Sequence, residues 1–260
     1  MPTQESTETA RVTTKSRVIG AIPARYASSR LPGKSLCQLA GSPLIEHVYR
    51  RASQASQLDR VVVLTDDQRI FDTVSRFGGE AEMTPVDCAS GTDRVASAAR
   101  NWDATAVVNI QGDEPLIEPQ AIDRLARHLK ENAADPMVTL AAPAAPEDRD
   151  NPDVVKVVID LSGTALYFSR SPIPYRRGLE PYSDLRHIGI YGYQLQSLLD
   201  LAALPASPLE RSESLEQLRA LENGIDIKVL RIARAWQGVD TMADLERVES
   251  ILEQTVSGTR

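Results

Sequence analysis

The sequence predicts an α/β fold: a doubly wound, mainly parallel central sheet with a smaller secondary sheet in the second half. Three observations predict it. Short apolar runs recur about every 40 residues, helical patterns fall between them, and later the pattern shifts to shorter extended pieces joined by Pro-rich segments. The runs Val18 to Pro23 (VIGAIP), Arg60 to Thr65 (RVVVLT) and Ala104 to Ile110 (ATAVVNI) are the kind that form buried parallel strands. Helical patterns at Pro43 to Ala55, Asp67 to Phe77 and Thr92 to Trp102 complete βαβ units, whose crossovers cover both faces of a parallel sheet.

A further helix is expected at Pro119 to Asn132. Extended pieces follow at Met137 to Ala142, Val154 to Asp160, Ala165 to Ser169 and Ile188 to Gln194. Segments such as PAAPEDRDNPD and SRSPIPYRRGLEPYS join them and have the composition of surface loops. Helices return at Pro208 to Asn223 and Thr241 to Gln254, around a strand at Lys228 to Ala233. The polar opening, residues 1–16, has no hydrophobic period and reads as a disordered tail. Residues 17–260 then form one domain.

With 260 residues the chain can bury a large core without staples. Its two cysteines, Cys37 and Cys88, have no metal-ligand spacing and suit a reducing cytoplasm. No apolar run approaches the roughly 18 to 20 residues that span a bilayer. The net charge of -7 argues against a general nucleic-acid binder, which needs a basic face.

Ligands of open α/β sheets bind beyond the carboxyl ends of the strands, which draws attention to the loop after the first one. There Arg25, Arg30 and Lys34 fall within eleven residues of an otherwise acidic chain, with Ser28 and Ser29 between them. Arginine forks and a lysine point charge suit a triphosphate. Gly33-Lys34-Ser35 imitates the end of a P-loop, but Ser28 stands where that motif needs glycine, and Pro32 removes a backbone donor. At the end of the third apolar run, Gln111-Gly112-Asp113-Glu114-Pro115 offers Asp113 as a ligand for a hard divalent cation. Glu114 could instead cap the following turn. Ser90-Gly91-Thr92-Asp93-Arg94 also makes a plain helix start.

Taken in order, IPARYASSRLPGK, SGTDR, VVNIQGDEP, ALYFSR, RHIGIYGY, SPLERSESLEQLRALENG and GVDTMADLERV resemble the Kdo cytidylyltransferases, or CMP-Kdo synthetases. The likeness runs from about Val18 to Leu252. It implies a nucleotide-diphospho-sugar transferase-like fold and transfer of CMP from CTP to 3-deoxy-D-manno-octulosonate (Kdo) for lipopolysaccharide synthesis. It also implies a Mg²⁺ cofactor and a homodimer. Arg25, Arg30 and Lys34 are the implied catalytic cations; Asp66, Ser90 and Arg94 the implied CTP contacts. The sugar would meet Arg30, Gln111, His187, Tyr191, Glu216 and Gln217. Around Gly192, the motif favours Tyr191 for the ligand and leaves Tyr193, on the opposite face, for core or interface. Glu213 and Glu222 read as solvent charges. The resemblance pairs Asp240 with Asp113 as metal ligand, whereas local sequence makes Asp240 or Thr241 a helix cap. Leu64 stands where a small residue is expected beside the base, and no general base stands out. A Kdo variant such as the 8-amino sugar, another acidic sugar, a P-loop phosphotransferase and a non-catalytic nucleotide binder are the alternatives.

Overall fold

The computed structural model describes residues 16–27, 31–178 and 183–257. Residues 1–15 of the expected tail lie outside them. The first half contains β1 (Val18–Ala24), β2 (Gln38–Leu39), β3 (Ser42–Pro43), α1 (Leu44–Ala52), β4 (Arg60–Thr65), α2 (Gln68–Arg76), β5 (Ala81–Met83), α3 (Gly91–Ala99), β6 (Ala106–Asn109) and α4 (Pro119–Glu131). The second half adds β7 (Met137–Pro143), β8 (Lys156–Ile159), β9 (Ala165–Ser169), β10 (Leu185–Gln194), α5 (Leu195–Ala203), α6 (Pro208–Glu213), α7 (Gln217–Glu222), β11 (Ile227–Arg231) and α8 (Met242–Ser257).

The main sheet runs β11-β7-β10-β6-β1-β4-β5. All neighbours on this path are parallel except at β10, which lies antiparallel between β6 and β7. An antiparallel extension, β8 with β9, joins the sheet along the start of β10. A separate two-stranded antiparallel sheet, β2 with β3, leads into α1.

Alternation along the strands divides the core in two. Val18 and Ile22 of β1 face one layer, with Ile45, Val48, Ile70 and Leu125 of α1, α2 and α4. Ile19 and Ala21 face the other, with Val95 of α3, Leu198 of α5 and Leu218 of α7. At Gly192 an added Cβ would come within 2.7 Å of Leu129 and 2.8 Å of Val138, so α4 packs on β10 only because that residue is glycine.

The helix expected over Pro208 to Asn223 is interrupted. Ser214 adopts a left-handed conformation (φ 52°) and ends α6. The Glu213 carboxylate is drawn out of the helix face, accepting from Ser169 Oγ at 2.6 Å and Arg170 N at 2.9 Å. Glu222 likewise accepts from the Ser207 hydroxyl and, at 3.0 Å, from Leu209 N. Both glutamates, expected to be solvent charges, are therefore structural staples. The break turns Glu216 and Gln217 toward the carboxyl-end cleft.

Candidate active site

The carboxyl ends of β1 and β6 and the start of α3 border a cleft of about 260 Å³, in which Arg25, Lys34, Ser90, Arg94, Gln111, Asp113 and Asp240 come together. The loop after β1 folds back on itself: Gly33 N donates to Tyr26 O (3.0 Å), and Gly33 takes φ 70°, which places Lys34 over the strand ends. Arg30, with Ser28 and Ser29, lies outside the described residues. Lys34 begins one 3₁₀ turn, Lys34–Leu36, instead of the long helix a P-loop requires.

Gly112 brings the Asp113 loop against β1. An added Cβ there would lie 2.9 Å from the Pro23 carbonyl oxygen. Lys34 Nζ donates to Asp113 Oδ2 at 2.5 Å and Asp240 Oδ1 at 3.1 Å. Burial opposes the Lys34 charge, but Asp113 and then Asp240 outweigh it and hold the ammonium above its ordinary 10.5. The choice of cap at α8 is resolved by reciprocal bonds. Thr241 Oγ1 accepts from Asp244 N (3.2 Å), and the Asp244 carboxylate accepts from Thr241 N (3.0 Å), so Thr241 caps and Asp240 faces the cleft.

Arg94 is almost wholly buried, donates to Asp66 Oδ2 at 2.8 Å and also bonds Thr84 Oγ1. Asp66 is not on the cleft wall; it orients Arg94, which is. Ser90 caps a helix and also borders the cleft. Its Oγ accepts from Asp93 N (3.1 Å) in a capping box for α3, and it lines the cleft.

A second cavity, about 430 Å³, adjoins the first and shares Gly91, Gln111, Asp113 and Asp240 with it. Tyr191, Glu216 and Gln217 line it, joined by Thr92, Asn109, Arg170 and Tyr193. Asn109 Oδ1, Glu216 Oε1 and Gln217 Nε2 are buried without a hydrogen-bond partner. Such atoms cost about 1–3 kcal/mol each. Three of them around one cavity give it a polar wall with unspent hydrogen-bonding capacity. Burial also raises the Glu216 carboxyl above its ordinary range.

The expected separation of Tyr191 from Tyr193 is corrected here. Two residues apart on one strand, they share a face, because side chains alternate with period two. Their rings lie 6.0 Å apart and both line the cavity. Asn109 and Arg170 were not singled out from sequence as site residues. A polar Asn inside the apolar run AVVNI was the available signal for the first; nothing in ALYFSR distinguishes the second from a surface arginine.

His187 stands behind Tyr191, with ring centroids 5.3 Å apart, and its other side meets Phe168 at 5.0 Å. Thr139 Oγ1 lies 2.7 Å from the Ile190 carbonyl, which can only accept, so the single hydroxyl proton is spent there. His187 Nε2–H must then donate to Thr139 Oγ1 (3.0 Å), leaving Nδ1 as the ring's acceptor. Burial pushes this imidazole down to about 3. Between that value and 6.5 the unfolded chain binds the extra proton, so His187 makes stability fall as pH drops through this window. His187→Gln is expected to flatten that part of the profile, measured by urea unfolding from pH 7 to 4; an unchanged slope would contradict the assignment.

Among the described residues, no three His, Cys, Asp or Glu side chains converge as a metal cage. Two carboxylates suffice for a Mg²⁺ that also binds phosphates. Asp113 and Asp240 both reach one ammonium, so they already converge on a single cation, and their hard oxygens fit that ion.

Residues 19–227 match the family model described as cytidylyltransferase. A 3-deoxy-manno-octulosonate cytidylyltransferase from Syntrophotalea carbinolica is 53% identical over 246 residues, covering 90% of this chain and 98% of that protein. The protein of the same name from Escherichia coli is 43% identical over 242 residues, covering 93% and 98%. A solved CMP:2-keto-3-deoxy-manno-octonic acid synthetase complexed with CTP superposes with a TM-score of 0.90 at 44% identity, covering 92% of this chain and 100% of the other. A putative glucose-1-phosphate thymidylyltransferase from Bacillus anthracis, 18% identical with a TM-score of 0.64 over 90% of this chain and 94% of that one, shares the fold.

Proposed function

The chain belongs to the cytidylyltransferase family, and from that membership we propose that it joins CTP to Kdo, giving CMP-Kdo and pyrophosphate for lipopolysaccharide synthesis. The observation that carries this reading is the junction of the two cavities. A triphosphate in the Arg25–Lys34 cleft and an acidic sugar in the Tyr191–Glu216 cavity meet at Gln111, Asp113 and Asp240.

The anomeric 2-hydroxyl of Kdo gives up its proton to solvent and attacks the α-phosphorus of CTP in line, and the bond from that phosphorus to the α,β-bridging oxygen breaks, releasing pyrophosphate. Arg25 and Lys34 neutralise the departing pyrophosphate, and Arg30 is assigned the same task on family grounds. Asp113 and Asp240 would hold Mg²⁺, which when bound supplies charge neutralisation at phosphate and lowers the pKa of a nearby hydroxyl. Arg94, locked by Asp66, and Ser90 border the nucleoside end. Gln111, Tyr191, Glu216 and Gln217 orient the sugar hydroxyls, with His187 fixing the Tyr191 ring from behind. No covalent intermediate is needed: catalysis rests on positioning and charge.

Among the described residues, no helix is long and apolar enough to cross a membrane. We assign the reaction to the cytoplasm and the partner to a second copy of this chain. Exposed Leu166 on the edge strand β9, with exposed Leu161 and Tyr175 in flanking loops, supports a dimer; sedimentation as a monomer at micromolar concentration would contradict it. Pyrophosphate release with CTP, UTP and ATP against a panel of acidic sugars tests the substrates. CTP with Kdo should exceed the other pairs, and preference for ATP, or for 8-amino-Kdo over Kdo, would overturn the reading.

A further inference from the structure

We propose that Glu114 is a positioning residue whose carboxyl, wedged against Gly238, sets the gap between Asp113 and Asp240. The inference rests on the reading above that these two aspartates hold the cation. They are far apart in sequence, and the two loops that carry them are tied together at two points. Val239 N donates to Asp113 O at 2.9 Å, and Arg234 Nη2 donates to Glu118 Oε1 at 3.0 Å. Glu114 is inserted between these ties. A Cβ added at Gly238 would lie 3.0 Å from its Oε1 and 3.1 Å from both its Cδ and Oε2, so the carboxyl lies flat against that Cα and only glycine leaves room for it.

The turn that Glu114 could have capped is closed by its backbone instead, Ile117 N donating to Glu114 O at 3.1 Å. Its Oε2 is buried without a hydrogen bond of good geometry, and the indole Nε1 of Trp236 on the facing loop is the polar group that offsets part of that burial. A carboxyl buried with so little hydrogen bonding is costly. Its retention beside the aspartate pair is explained by shape: the side chain is a spacer of fixed length between two ligand-bearing loops. Shortening it lets the loops close, and enlarging Gly238 forces them apart. Both changes should damage the same property from opposite directions, as loss of supporting groups around metal ligands does.

The test uses Mn²⁺ as the probe, its binding to the full-length enzyme with CTP followed by electron paramagnetic resonance. Glu114→Ala and Gly238→Ala should each weaken Mn²⁺ binding about tenfold or more. Glu114→Gln, which keeps the shape, should stay within about twofold, and the Mg²⁺ concentration for half-maximal turnover should shift in parallel. Equal losses in Glu114→Gln and Glu114→Ala would overturn the proposal in favour of a direct charge role. Unchanged binding in both Glu114→Ala and Gly238→Ala would also overturn it. Should Glu114→Ala fail to fold, Glu114→Asp, shorter by one methylene, carries the same expectation. Asp113→Asn separates the two levels: if it binds Mn²⁺ as the parent does, the aspartate pair is not the cation site and the underlying reading fails.

Discussion

Asp113→Asn is expected to lower CTP-dependent pyrophosphate release about 10²–10³-fold while the protein stays folded. The substitution preserves side-chain volume and removes one of the two charges that converge at the junction of the cavities. Lys34 would keep only Asp240, at 3.1 Å, as an anionic partner at that point. The folding cost is small. The Asp113 side chain is about one-third exposed (32%) and that of Lys34 14%, and because asparagine keeps an acceptor for Lys34 beside Asp240, the loss is about 1–2 kcal/mol. Turnover at saturating Mg²⁺, compared with thermal unfolding by circular dichroism, separates the two effects. Near-parental turnover would remove Asp113 from the mechanism.

The largest expected loss of stability comes from a residue outside the site. Lys156 on β8 is fully buried, and its ammonium donates to three backbone carbonyls: Asn151 O at 2.8 Å, Val154 O at 2.7 Å and Arg170 O at 2.6 Å. Methionine fills the same space but donates nothing, so three acceptors lose their partner at about 1–3 kcal/mol each, less where relaxation admits water. Lys156→Met should therefore cost about 3–5 kcal/mol in urea unfolding. The effect should reach function, because Arg170 lines the sugar cavity and its Nη1 donates to Pro152 O at 2.9 Å, in the loop that Lys156 anchors. The KM for the sugar is expected to rise more than that for CTP. A loss below about 1 kcal/mol would show that water or a shifted loop satisfies the carbonyls.

The strands that position the nucleotide cleft were legible because each is buried on both faces and so reads as an unbroken apolar run. Arg60–Thr65 begins and ends where the pattern put it. Direction was not legible: periodicity is the same either way along a strand, and the antiparallel placement of β10 follows from its pairing with β6 and β7. The helical pattern from Pro208 continues through Ser214, yet the chain breaks there because Glu213 bonds across to β9 and the residue after it. That competition is tertiary. Four elements, β2, β3, β5 and α5, were not anticipated. Ala81–Met83 is too short to show a period, and Leu195–Ala203 follows a strand without a polar cap to announce it.

The site divides similarly. Local chemistry singled out Arg25, Arg30, Lys34 and Asp113, because cations clustered after a buried strand stand out in an acidic chain and a carboxylate at a strand end suits a cation; Arg25, Lys34 and Asp113 line the cleft. Asp240 required the family likeness, since no local spacing brings a residue before α8 to the end of β6; the Val239–Asp113 hydrogen bond does that in three dimensions. Asn109 and Tyr193 became site residues only when the interruption between α6 and α7 brought Glu216 and Gln217 opposite them.

The central claim is that phosphoryl chemistry occurs at the α-phosphorus of CTP, where the two cavities meet. Its most direct test is the fate of radiolabel in separate reactions with α-labelled and γ-labelled CTP, each with Kdo and Mg²⁺. The account predicts that the α-label enters a CMP-sugar and the γ-label leaves as pyrophosphate. Transfer of the γ-label to the sugar, or its release as inorganic phosphate without a CMP-sugar, would contradict it.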